Sequence, residues 1–566
     1  MQYNKPIKNG RTHRCAPTKS HYEGVHIMEY IIKNAKIATM DKENPIVEAA
    51  IVKDGKFAFC GALEEAEKFV SADAEILDCG GNFVMPGFND SHMHYLHYVK
   101  TKLSVDLWGT VSVDDIVSKM STAFEHFDRE SGLWLIGEGW NHDYFTEGEK
   151  RFPTAADLDK ITTEHPVLIM RACYHVGVLN TKAMMLMGLD AQKAAELGAF
   201  CEVDENGNPN GVIKENYFDE VKSKLPYPDL SILLRMMLES QNDLFEQGIT
   251  AVQSDDMKYA PEGRAYELLD ELKAASLDGR LKVHYAEQAL SQTRAEVDDW
   301  FRHEHYKMRD GSFKVSCLKI ISDGSLGART ALLKEPYADA PATKGIAIYT
   351  QEELSGFVLE AQKRNTPVAI HAIGNGAMEM CLNAIENAKN AFPEYNPRHA
   401  IVHCQITSKE QIDRLCRLGI MPLTQPVFID YDMHIVYDRV GKDLAETSYA
   451  WKDYLEGGVH EAFGTDCPVE NFKPMRGIYC AVTRKDCKGR GPYLPEQAVS
   501  VYDALYAYSA EGAYVSGDEE IRGKIISGME ADFIILDRNL LEIDPEEILG
   551  TKVLETYIGG ERVFKR

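Results

Sequence analysis

The sequence predicts an α/β fold: a (β/α)8 TIM-like barrel, a composite β-sandwich domain built from both chain ends, and an α/β insertion. Three observations predict it. Eight apolar runs of strand length alternate with polar segments of helical length, the pattern of a parallel sheet closed into a barrel. Both chain ends are instead short β-rich segments split by turns. The stretch between the first and second apolar runs is far too long for one crossover, so it must hold an insertion.

Each element follows in order. Residues 1–27 are polar and basic, with Lys5, Lys8, Arg11, Arg14 and Lys19, and lack the apolar stretch of a secretory signal. They are expected to be a poorly ordered extension ahead of a strand pattern that starts at Met28. Residues 28–85 supply the first part of the sandwich, with strands at Tyr30–Thr39, Glu48–Lys53, Lys56–Cys60 and Glu75–Asp78 and turns at Asp54-Gly55 and Gly80-Gly81. Residues 86–519 form the barrel. Its strands are expected at Phe83–Phe88, Ile249–Gln253, Leu281–Tyr285, Val315–Ile321, Pro367–Ile370, His399–Val402, Gly419–Leu423 and Glu461–Gly464. The insertion spans about residues 104–244 and has strands of its own, such as Leu133–Gly137 and Val167–Arg171. Residues 520–566 complete the sandwich, with strands at Gly523–Gly528 and Ala531–Leu536 and a hairpin of Lys552–Ile558 and Arg562–Lys565 around Gly559-Gly560.

Composition narrows the function. Of 566 residues, 44% are apolar, enough for a large core, and no stretch approaches a membrane-spanning run. A formal net charge of −26 argues against nucleic-acid and anionic-membrane partners, since both need basic surface. It leaves a small-molecule substrate and self-association into a homo-oligomer open. The 12 cysteines contain no CxxC pair and no disulfide-scaffold spacing, which points to reduced thiols in a cytoplasmic protein.

The chemistry begins at Met85-Pro86-Gly87-Phe88-Asn89-Asp90-Ser91-His92-Met93-His94. Residues i and i+2 of a strand share a face, so His92 and His94 can grip one metal ion through neutral imidazole. Alone the pair is a weak signal. Downstream, Lys319 lies near the end of one apolar run, His371 and His403 each close one, and Asp466 follows another. Any one of these would be an ordinary strand-end residue. A barrel, however, builds its active site at the carboxyl ends of its strands, so all six converge. Four histidines, one aspartate and one lysine suffice for one or two divalent ions. A bound metal lowers the pKa of its water from 15.7 to about 7 and supplies a nucleophile for C–N hydrolysis. A desolvated Lys319 has a lowered pKa and could add CO₂ to become a carbamate that bridges two metals. Asp466 could bind one metal, take the proton of the attacking water and pass it to the leaving nitrogen.

These motifs resemble the metal-dependent amidohydrolase superfamily, specifically amidohydrolase family 3, the branch that includes N-substituted formamide deformylase-like proteins. The markers are Pro86-Gly87-Phe88 with Asp90 and His92-x-His94, Lys319 ahead of Asp323-Gly324-Ser325-Leu326-Gly327, His371-Ala372-Ile373-Gly374, His403-Cys404-Gln405, and Gly464-Thr465-Asp466-Cys467-Pro468. Within the insertion, Gly137-x-Gly139-Trp140, Arg171-Ala172-Cys173-Tyr174-His175 and Asn210-Gly211-Val212 resemble the same branch. The resemblance implies a zinc-type site in which His92, His94 and Asp466 hold one metal, His371 and His403 hold a second, and Lys319 bridges. It also implies that Trp140 and His175 face substrate; Arg171 is a further candidate contact, lying with Trp108 in the insertion that would cover the barrel mouth. Asn375 departs from the pattern, standing where the family usually has an aspartate.

The expected function is hydrolysis of non-peptide carbon–nitrogen bonds, amide or N-substituted formamide, by metal-activated water with an Asp466 base. Two alternatives use the same residues: a mononuclear deaminase-like hydrolase with unmodified Lys319, and a metal-stabilised barrel that binds a small ligand without turnover.

Overall fold

A computed structural model describes residues 29–173 and 175–566. The extension expected at residues 1–27 lies outside them. Eight parallel strands form the centre: β1 (Phe88–Met93), β2 (Ile249–Ser254), β3 (His284–Leu290), β4 (Phe313–Ile321), β5 (Val368–Ala372), β6 (Ala400–His403), β7 (Met421–Thr424) and β8 (Ala462–Phe463). Each pairs in parallel with the next along the chain. The seam between β1 and β8 carries no ladder and is stitched by other bonds. Asp466 N–H donates to the His92 carbonyl at 2.8 Å, and Thr465 N–H donates to Asp90 Oδ1 at 3.0 Å. Gly464 sits at this close approach, where an added Cβ would stand 2.7 Å from the His92 nitrogen.

Alternation sorts the strand residues. In β5 and β6, Val368, Ile370 and Ile401 join the large core shared with the surrounding helices. Ala369, Ala400 and Val402 join a smaller cluster with Cys317, Leu423 and Ala462 on the opposite face, inside the barrel. The helices seal the outer face through their own stripes. In Lys409–Leu418, Ser408 and Gln411 form a capping box, Ile412 and Leu415 are buried, and Gly419 ends the helix at φ +63°.

Both chain ends build a two-sheet sandwich. One sheet holds Glu29–Lys33, Ala49–Lys53, Lys56–Gly61 and Glu75–Asp78. The other joins Lys36–Ala38, Ile46–Val47 and Phe83–Pro86 to the C-terminal strands Phe533–Leu536, Val553–Ile558 and Glu561–Lys565. Ile32, Val52, Phe57, Val84, Phe533 and Ile535 fill the space between them. The insertion has a six-stranded sheet of its own, running from Ser104–Asp106 and Leu135–Trp140 to Cys201–Val203, with an apolar cluster on each face.

Several expected strands are corrected. Phe83–Phe88 is not the first barrel strand: Phe83–Pro86 pairs antiparallel with Phe533–Leu536 in the sandwich, and the barrel starts at Phe88. The break falls at Gly87, where a Cβ would lie 2.2 Å from Thr250 Oγ1. Tyr30–Thr39 splits at Asn34, whose φ of +54° sends the halves into different sheets. The third barrel strand begins at His284, later than Leu281–Tyr285 placed it. Leu133–Gly137 is displaced to Leu135–Trp140. Gly523–Gly528 forms no strand; its amides instead bridge to the Thr39 and Phe57 carbonyls. Among the described residues every cysteine is a free thiol, and no helix is long and apolar enough to cross a membrane.

Candidate metal centre

His92 lies near the end of β1 and His94 just past it, at the start of the helix Tyr95–Thr101. The side-chain alternation therefore carries one residue beyond the strand, and the two imidazoles stand 5.0 Å apart. Asp466 comes from the turn after β8, at a left-handed φ of +58°. Its Oδ1 lies 3.0 Å from His94 Nε2 and 3.5 Å from His92 Nε2, the three ligand atoms falling within 4.8 Å of one another. That oxygen is buried and receives no well-aligned hydrogen bond.

The other three residues close around this trio. Lys319 Nζ, from β4, lies 3.1 Å from His92 Nε2. His403 Nε2 lies 2.9 Å from His371 Nδ1, and the His403 ring is 5.7 Å from that of His92. Strict alternation along β6 would send His403 to the helix side with Ile401. Its φ of +78°, followed by +48° at Cys404, breaks the alternation and turns the imidazole to its partners at the barrel mouth.

Hydrogen bonds fix which nitrogen each ring presents. Gln288 donates its Nε2–H to the Ser91 carbonyl at 3.1 Å, so its Oε1 faces His92 Nδ1 at 2.8 Å. Gln425 donates to the Leu423 carbonyl at 3.0 Å, and its Oε1 faces His403 Nδ1 at 2.7 Å. In both rings Nδ1 carries the proton and Nε2 turns a lone pair toward the cluster. His371 donates Nε2–H to the Gly324 carbonyl at 3.0 Å, so its Nδ1 lone pair meets that of His403. Converging lone pairs and an orphaned, buried carboxylate oxygen form a donor set that fits a divalent metal ion.

Electrostatics separate the residues by role. Burial and the neighbouring Lys319 hold His92 well below the usual imidazole range, and burial beside His371 does the same for His403. Neutral imidazole is the ligating form. Burial also depresses His94, but Asp255 and Asp466 on either side outweigh it and hold it at about 9. Burial raises the Asp466 carboxyl, yet His94, His403 and Lys319 bring it down to about 2. Burial lowers the Lys319 ammonium to about 8.

Some of the surroundings were not legible as site residues. Asp255, after β2, is fully buried beside His94 and Lys319. Its position at a strand end was the one available signal. Gln288 and Gln425 carry no motif. Asn375 does not support His371: its Oδ1 accepts from Lys334 N–H, and the supporting carboxylate is Asp323, 3.3 Å from His371 Nε2 and anchored by the Ile373 and Gly374 amides.

Trp140, Arg171 and His175 are not brought to the histidines. Trp140 is fully buried in the insertion core against Phe152, Arg171 pairs with Asp143 and Asn141, and exposed His175 pairs with Glu215. Among the described residues none of the three bonds to, or stacks on, the six clustered side chains. Trp108 is exposed, its indole lying over Gly139. The residues that do flank the cluster are Tyr259, whose ring is 5.8 Å from that of His94, and Phe428, which stacks on His403 at 5.9 Å.

A profile of the amidohydrolase family matches residues 75–564, and so takes in the whole barrel and all six clustered residues. The chain belongs to the amidohydrolase family. It is 32% identical over 543 residues to YtcJ of Bacillus subtilis (strain 168), a protein named as an amidohydrolase, covering 95% of this chain and 100% of that one. It is 26% identical over 561 residues to an N-substituted formamide deformylase of Arthrobacter pascens, covering 95% and 98% of the two chains. Among solved structures, this amidohydrolase resembles a metal-dependent hydrolase from Pyrococcus furiosus with a TM-score of 0.71 and 28% identity, over 91% of this chain and 100% of that one.

Proposed function

We propose that the protein hydrolyses non-peptide carbon–nitrogen bonds, of the amide or N-substituted formamide type, with a divalent metal. The observation that carries this is the convergence of His92 Nε2, His94 Nε2 and Asp466 Oδ1 on the rim where a barrel does its chemistry. Family membership and the relative named as a formamide deformylase support the bond type. His92, His94 and Asp466 would hold one ion, zinc by its fit to imidazole and carboxylate. His371 and His403 would hold a second, with Lys319 as a bridging carbamate. Such an ion supplies Lewis acidity, lowering the pKa of a water from 15.7 to about 7.

The chain's own residues do the rest. Asp466, ionised at neutral pH, accepts the proton of the attacking water at a carboxylate oxygen. The water oxygen bonds to the carbonyl carbon and the C–N bond breaks. Asp466 then returns the proton to the leaving nitrogen, so that acid and amine are released. Tyr259 and Phe428 line the approach and favour an apolar or aromatic substituent on the substrate. Substrate contact is proposed for these two rather than for Trp140, Arg171 and His175, which find their partners inside the insertion. The free thiols support a cytoplasmic location.

One observation favours a single-ion version of the same chemistry. The Asp255 carboxylate lies 3.9 Å from Lys319 Nζ, where it would repel an anionic carbamate. Elemental analysis separates one ion from two. The activity itself is tested by incubating zinc-loaded protein with N-substituted formamides, N-acyl amino acids and cyclic amides and measuring amine release. Turnover on one class, abolished by chelation, is the expected result. No turnover on any of them with metal fully bound would favour a barrel that only binds its ligand.

A further inference from the structure

Asp255 follows β2 on the same rim as the histidines, and it is completely buried. Its backbone N–H donates to the Met93 carbonyl at 3.2 Å, which seats it against the segment between His92 and His94. Neither carboxylate oxygen receives a well-aligned hydrogen bond. Three nitrogens surround them instead. His94 Nδ1 and Lys258 Nζ lie 3.6 and 3.5 Å from Oδ1, and Lys319 Nζ lies 3.9 Å from Oδ2. A buried carboxylate without hydrogen bonds costs stability, so its presence here needs a reason other than folding.

The two faces of the His94 ring supply that reason. Nε2 points at Asp466 Oδ1, 3.0 Å away. Nδ1 points at Asp255, with the backbone carbonyl at 3.4 Å and the carboxylate at 3.6 Å. His92 and His403 meet neutral amide oxygens alone at the corresponding atom, whereas His94 meets the Asp255 backbone carbonyl with the Asp255 carboxylate beside it.

We propose that Asp255 is a positioning residue of the metal centre: its carboxylate fixes His94 with Nε2 aimed at the ion shared with His92 and Asp466, and seats Lys258 and Lys319 beside it. This rests on the metal centre proposed above. A carboxylate behind a ligating imidazole sets the tautomer and strengthens the donor, and losing such a partner typically lowers metal affinity about 10–100-fold. Lys258, partly exposed, closes the third side and offsets the charge of the carboxylate where the rim opens.

The test measures Zn²⁺ affinity by competition with a chromophoric chelator in the metal-stripped full-length protein, for wild type, Asp255→Asn, Asp255→Ser and His94→Ala. Near-UV circular dichroism checks that each is folded. The two Asp255 variants are read together, so that one poorly folding protein does not decide the result. Asp255→Asn or Asp255→Ser should bind Zn²⁺ about 10–100-fold more weakly, shift the visible absorption of the Co²⁺-loaded protein, and regain most of their turnover when Zn²⁺ is raised to saturation. Folded Asp255 variants with wild-type Zn²⁺ affinity and an unchanged Co²⁺ spectrum, alongside a His94→Ala that has lost binding, would overturn the proposal and leave the metal centre standing. A His94→Ala that binds Zn²⁺ as tightly as wild type would overturn the metal centre itself, and this proposal with it.

Discussion

At Asp466 the backbone is left-handed, with φ of +58°, and the amide is tied to the His92 carbonyl. A β-region backbone would carry the carboxylate elsewhere. The strain is therefore local to the residue proposed both to face an ion and to handle a proton. Replacing Asp466 by Asn keeps the shape and the fold but removes the proton acceptor. Turnover should fall by about 10²–10⁴-fold, the usual worth of a general base, with the fold retained by near-UV circular dichroism. Near-normal turnover would rule out the base role. The six clustered residues were legible because each has a chemistry-bearing side chain at a strand end. Their holders were not, because Gln288 and Gln425 are ordinary amides whose orientation depends on which carbonyl their Nε2 finds in three dimensions.

Among the barrel's strand joins, the one without a ladder is the seam between β1 and β8, where β8 is only Ala462–Phe463. Asp90 carries it by accepting from the His92 and Thr465 amides and the Thr465 hydroxyl. Gly464 gives it room, since a Cβ there would lie 2.7 Å from the His92 nitrogen and 2.9 Å from Asp90 Oδ1. Gly464→Ala should destabilise the protein by about 1–3 kcal/mol, the usual cost of overpacking, in urea unfolding; a neutral effect would show that the seam yields freely. Two neighbouring helices, Arg294–His303 and Gln351–Gln362, are joined by Arg294 and Glu360 at 3.1 Å, with Lys363 and Arg364 on the same carboxylate. Burial raises the Glu360 carboxyl, but these three cations outweigh it and hold it at about 2. A depressed folded pKa means the unfolded chain binds the proton first. The contribution is therefore complete above the ordinary carboxyl range and is lost as pH falls toward 2. Glu360→Gln should be less stable than wild type at pH 7, and the gap should shrink by pH 3; a gap of constant size would contradict the assignment. The alternation of apolar runs made most strands legible. It failed at Phe83–Phe88 because periodicity cannot register that one apolar run serves two sheets, with a glycine forced by Thr250 as the break.

At the scale of the molecule, the sandwich ties the two chain ends together directly below the first barrel strand, so the end of the chain supports the start of the site. Phe533 lies in the strand paired with Phe83–Pro86 and packs on Tyr557 and Phe57 with ring centroids 4.3 and 6.1 Å away. Phe533→Ala should cost about 3–5 kcal/mol, read as a lower melting temperature. An unchanged melting temperature would mean that the sandwich is not part of the cooperative unit. The barrel, the sandwich and the insertion were each legible from texture: alternating elements, turn-split strands, and a gap too long to be one crossover. The packing of Trp140 and Arg171 was not, because these side chains look the same in sequence whether they face a ligand or their own domain's core. The most direct test of the whole is a zinc-edge anomalous diffraction map of the zinc-loaded protein. The predicted result is a peak within ligand distance of His92 Nε2, His94 Nε2 and Asp466. A peak elsewhere, or none at these residues in fully loaded protein, would contradict the metal centre on which the function rests.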